Sequence, residues 1–79
     1  MTMTRTFNFN GDCRIYTVEK EMEIKDPWSI YRFTKVKELR DWICEITEKN
    51  TGEVFIMMMH EQQIKDMYPS LKSFTKTRI

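Results

Sequence analysis

Hydrophobic and polar residues exchange at short intervals along this chain, and the interval is mostly two. Met3, Arg5, Phe7 and Phe9 alternate with Thr4, Thr6 and Asn8, which predicts a first strand with Phe7 and Phe9 on one face. Asn10-Gly11-Asp12 follows, and Asn-Gly is the preferred pair for a two-residue hairpin turn. From Cys13 to Ile24, Tyr16, Val18, Met22 and Ile24 share one parity and Glu19, Glu21 and Glu23 the other. That predicts a second strand with an acidic outer face. Glu, Lys and Met fill its second half, so a short helix is the competing reading there. Asp26-Pro27 marks a turn. Trp28 to Val36 is rich in aromatic and β-branched residues and reads as a third strand. Its large residues keep no single parity, so either it carries a bulge or both its faces are partly covered. Lys37 to Arg40 is a short polar link.

The best-specified stretch runs from Asp41 to Phe74. Trp42, Cys44 and Ile46 alternate with Asp41, Glu45 and Thr47, with Ile43 out of phase. Asn50-Thr51-Gly52 suits a hairpin loop in which Gly takes the left-handed position. Val54 to Met59 is a continuous apolar run of strand length, which predicts a central strand covered on both faces, by the following helix and by a loop or another protein. The helix starts near His60 and carries Ile64, Met67, Tyr68, Leu71 and Phe74 on one face. Pro69 predicts a break at Tyr68, followed by a short second turn through Phe74. The sum is an α+β domain: an antiparallel sheet of four to five strands with one C-terminal helix packed on one face.

Composition narrows the class. Seventy-nine residues make a single domain, 1–79, with 75–79 expected as a mobile basic tail. The apolar fraction of 41% with a net charge of +1 supports a folded core. No apolar run approaches the ~20 residues of a membrane helix, and the first residues lack the apolar core of a signal peptide. A cytoplasmic location follows, with Cys13 and Cys44 as reduced thiols and at least one of them buried.

No cofactor, metal or catalytic centre is expected. His60-Glu61 resembles the start of HExxH, but Ile64 stands where the second His belongs. Cys13 or Cys44 could serve as a nucleophile with His60 only if the fold joined them, and no third residue is in place to orient the pair. The acids alternate with apolar residues as on a solvated strand face, and the two glycines fall in separate turns. The protein therefore reads as a non-enzyme.

Two candidate surfaces remain. One is basic and interleaved with aromatic residues: Arg5, Arg14, Arg32, Lys35, Lys37, Arg40, Lys72, Lys76 and Arg78. Such a set can bind RNA or single-stranded DNA, or an acidic partner. A pI near 7.8 weighs against nucleic acid. The other is apolar: Phe55, Met57, Met58, Met59 and Met67, in a chain with seven methionines. Methionine is favoured at adaptable binding surfaces. The whole chain, compact, Met- and Lys-rich and charge-mixed, resembles small accessory proteins of bacterial viruses. The resemblance carries no motif and transfers no residues. It implies binding and blocking of a host enzyme, toxin or defence complex. The leading expectation is thus a binding protein that regulates or inhibits a macromolecular partner by occlusion, with a homo-oligomer as a further expectation. The alternative is a small nucleic-acid-binding protein.

Overall fold

The chain turns where its residues permit. In the computed structural model, which describes residues 2–68, Asn10 and Gly11 both take positive φ (55° and 94°). Two consecutive left-handed residues make the turn whose twist matches an antiparallel hairpin. They join β1 (Met3–Phe9) to β2 (Asp12–Lys25). Asp26 then folds the chain back, because its carboxylate accepts the backbone N–H groups of Trp28 (2.9 Å) and Ser29 (2.7 Å). Strand β3 (Ser29–Val36) follows, then β4 (Trp42–Glu48). Gly52, at φ 76°, closes the next loop with its N–H on the carbonyl of Glu48 at 2.8 Å. Strand β5 (Val54–Met59) leads into α1 (Glu61–Met67).

The five strands pair in chain order, each antiparallel to the next. The sheet curls into a half-barrel, so a β1 side chain can reach β4: Arg5 touches Glu45 at 2.9 Å. Among the described residues, five antiparallel strands and one short helix make an α+β arrangement, as expected. Apolar residues gather on both faces. Met22, Phe33, Trp42, Cys44 and Met59 form one buried cluster with Ile64 of α1, edged by Ile24, Tyr31, Ile46 and Tyr68. Phe7, Val36 and Ile43 form the other, inside the curl, with Phe9, Tyr16, Leu39 and Ile56 against them.

Strand β2 departs from expectation. Its whole length is extended, so the competing helix does not form. Its pairing with β3, however, shifts register between Val18 and Lys20. One extra residue in a strand inverts the side-chain phase beyond it. Tyr16 therefore joins the cluster inside the curl, while Met22 and Ile24 join the cluster with α1. Glu21 correspondingly points at Arg5 rather than standing on a purely solvated acidic face. For β3 the second alternative holds: its register with β4 is unbroken, and Phe33, Thr34 and Val36 are all buried.

Strand β5 is a correction. The apolar run suggested a central strand, yet among the described residues β5 is the last strand of a meander and pairs only with β4. Helix α1 ends at Tyr68 (φ −131°, ψ 67°), where Pro69 predicts the break. The expected second turn through Phe74 and the tail lie outside the described residues.

Candidate binding surface

The basic residues are scattered and mostly engaged. Arg5 lies inside the curl, where its guanidinium donates to Glu21 (3.0 Å), Glu45 (2.9 Å) and Thr34 (2.8 Å). Its carbon centre sits 4.3 Å from the Phe7 ring centroid. Arg14 pairs with Asp12 at 2.7 Å, and the neighbouring Tyr16 hydroxyl and Asp12 carboxylate raise its pKa. Arg32 meets Glu23 at 3.4 Å. Lys35 reaches the carbonyls of Val36 (3.0 Å) and Leu39 (2.6 Å). Lys37 and Arg40 are exposed in the β3–β4 turn. That turn is anchored by Glu38, whose carboxylate accepts the Thr17 N–H (2.9 Å) and hydroxyl (2.7 Å); both bonds hold its pKa below the usual range. Lys72, Lys76 and Arg78 lie outside the described residues. The fold thus separates Arg5 and Arg32 from Lys35 by sheet face, and sets Lys35 opposite Lys20 of β2.

The candidates for chemistry also separate. Cys44 is buried in the cluster that includes Ile64, and burial, with the charge of Glu45 adding to it, pushes its thiol up to about 11. Such a thiol is a poor nucleophile at neutral pH. Cys13 is exposed at the start of β2. The exposed His60 ring approaches Asp41 at 2.6 Å. Among the described residues, no group of His, Cys, Asp and Glu could hold a metal ion, and no helix is long and apolar enough to cross a membrane.

The apolar set comes together more fully. On β5, Val54 is 59% exposed, Phe55 49%, Met57 45% and Met58 40%. Strand parity puts Phe55 and Met57 on the face shared with α1, and Val54 and Met58 on the inner face of the curl. Met67 is exposed on α1. Met59 is a correction: it faces Trp42 in the register and is buried in the cluster with Ile64, so it belongs to the core. Val54, in contrast, was not singled out by the sequence and is the most exposed residue of the strand. Its β-branched side chain matched the expectation of a buried strand, and only the strand order reveals it.

The polar backbone of β5 is equally one-sided. The Glu48 N–H donates to the Glu53 carbonyl at 2.9 Å, so Glu53 turns its polar groups toward β4. Alternation along an antiparallel ladder then turns Phe55, Met57 and Met59 toward β4 and leaves those of Val54, Ile56 and Met58 facing outward. A cleft of about 420 Å³ runs between this strand and the β1–β2 turn, lined by Asn8, Asn10 and Gly11 on one side and Val54 to Met57 with Glu45 on the other. It marks the open seam of the half-barrel.

Comparison with protein-family models, with curated proteins and with solved structures finds no match for this chain.

Proposed function

We propose that this chain is a small non-enzymatic binding protein that regulates or inhibits a macromolecular partner by occlusion, and that β5 is the strand that engages it. One observation carries the reading: a six-residue edge, unpaired among the described residues, without a single charge, apolar and exposed on both faces. Proteins that keep such edges to themselves blunt them with lysine, proline or a bulge. None of these interrupts Val54 to Met59. An edge of this kind accepts an extended segment: main-chain hydrogen bonds supply affinity, and side chains on alternate faces supply specificity. In this reading α1 covers one sheet face beside the edge, through Ile64. The partner is a protein encountered in the cytoplasm, in keeping with the accessory-protein character of the chain. Among the described residues, the nucleic-acid alternative retains the exposed Lys37 and Arg40, with Arg14 exposed as well but paired to Asp12.

The test is comparative capture from the native cell with wild type and Met57→Lys. A lysine at Met57 places a charge on the exposed edge and leaves the buried clusters intact. A stoichiometric protein partner retained by wild type and lost by the variant supports the reading. A partner held equally well by Met57→Lys removes β5 from the interaction.

A further inference from the structure

Resting on the reading of β5 as the binding edge, we propose that the strand it accepts in the unbound protein is β5 of a second copy. The two strands run antiparallel about Ile56 and join two half-barrels into one continuous sheet. Target binding then competes with self-pairing, so the dimer shields the edge until a target strand displaces it.

The register follows from the geometry. A twofold axis perpendicular to a sheet keeps each residue on its own face, so paired positions must differ by an even number. Three centres keep most of β5 paired: Phe55, Ile56 and Met57. Centring on Phe55 sets Met58 against Gly52 and Met57 against Glu53. Centring on Met57 sets Val54 against His60 and Glu53 against Glu61. The second of these brings like charges together, which is unfavourable across strands. Centring on Ile56 pairs Val54 with Met58 and Phe55 with Met57, on each side of an Ile56–Ile56 contact. Only this register matches all four exposed residues of β5 with one another.

The backbone phase agrees. Val54, Ile56 and Met58 carry the outward N–H and C=O groups. In the Ile56 register these residues oppose Met58, Ile56 and Val54 of the second copy, which makes every one of those positions a hydrogen-bonded pair, about six bonds in all. The opposite edge fits less well. Strand β1 presents Thr4, Thr6 and Asn8 on one face. Pairing β5 with β1 of another copy would also be heterologous, giving a ring or an open filament rather than a closed two-fold dimer.

Two measurements test the pairing. Light scattering over about 10–200 µM should show wild type as a dimer, with Met57→Lys shifted to monomer. Disulfide formation reads the register in a Cys13→Ser background, which removes the exposed native thiol. Mixed Phe55→Cys and Met57→Cys proteins should cross-link to each other several-fold more than either does to itself, because those two positions face one another as a close non-hydrogen-bonded pair. Circular dichroism should show Met57→Lys, Phe55→Cys and Met57→Cys all folded. A wild type that stays monomeric throughout, a dimer untouched by Met57→Lys, or cross-linking without preference for the mixed pair would each overturn the proposal. Its failure is distinguishable from failure of the binding-edge reading. A monomeric wild type that still loses its captured partner on Met57→Lys keeps the edge as the binding site and eliminates only the second copy. A partner retained by Met57→Lys eliminates the edge itself.

Discussion

Arg5 offers the sharpest test of why the sheet curls. Its guanidinium bonds Glu21 on β2, Thr34 on β3 and Glu45 on β4, so one side chain ties the first strand to the next three. The ion pairs are partly screened: side-chain exposure is 26% for Arg5, 29% for Glu21 and 19% for Glu45. Replacing Arg5 by Met keeps an unbranched apolar side chain at the position and removes the charge, with its stacking over Phe7. Two carboxylates then share a semi-enclosed site with no cation between them. Breaking a fully buried pair costs about 3–5 kcal/mol, while an exposed pair contributes about 0–1 kcal/mol. Intermediate exposure puts Arg5→Met near 2 kcal/mol. Arg5 Nε is itself buried without a hydrogen-bond partner among the described residues, which keeps the figure from rising further. For a domain of this size, about 2 kcal/mol lowers Tm by roughly 8–16 °C. Thermal unfolding followed by circular dichroism at one fixed protein concentration measures it. Most of the loss is the penalty of unpaired carboxylates. Arg5→Met combined with Glu21→Gln and Glu45→Gln should therefore recover more than half of it. A triple variant as unstable as Arg5→Met, or a single variant within about 0.5 kcal/mol of wild type, would refute this account of the curl.

Other consequences are as direct. Ile64 is buried in the cluster beneath α1 whereas Met67 is exposed, so Ile64→Ala should cost about 2–4 kcal/mol in urea unfolding and Met67→Ala less than about 0.5 kcal/mol. A thiol reagent under native conditions should label Cys13 promptly and Cys44 only after unfolding, given their exposed and buried positions. The Cys44 thiol rises from an ordinary 9.0 to about 11 on folding. Folding therefore favours the protonated form. The resulting stabilisation is complete below about pH 9 and lost as pH climbs through about 11, so the advantage of wild type over Cys44→Ala should shrink across that window by up to about 2–3 kcal/mol. Gly52 has open space around its Cα but a φ of 76°; Gly52→Ala should cost about 1–2 kcal/mol through backbone strain alone, and Gly52→Asn less.

Local chemistry in this chain was readable and long-range relations were not. Asn10-Gly11, Asp26 and Gly52 announce turns because the conformations they permit are properties of single residues, and each turn forms where expected. The end of α1 at Tyr68 follows equally from the proline beside it. The bulge at Val18–Lys20 left no such mark. Glu19 is neither Gly nor an evident break, and the parity of Tyr16, Val18, Met22 and Ile24 stayed even through a point where the ladder slips. Consequently the acids of β2 were all assigned to solvent, and the Arg5–Glu21–Glu45 cluster went unseen. The basic candidates illustrate the same limit. Arg5, Arg32 and Lys35 look alike as a set of cations, and only strand pairing shows which carboxylate or carbonyl each one meets.

The position of β5 has the widest consequence. A charge-free apolar strand is equally compatible with the centre of a sheet and with an edge that something else covers, because in both cases its two faces and both its backbone rows are meant to be paired. Strand order decides between them, and it is a property of the whole meander. The two edges of this sheet differ accordingly. β1 alternates threonine and asparagine with its apolar face and ends in a turn whose Gly11 N–H is taken by Asn8 at 2.6 Å. β5 has no polar side chain at all. That contrast supports the proposed pairing at β5, in which the same six residues would carry both self-association and target binding.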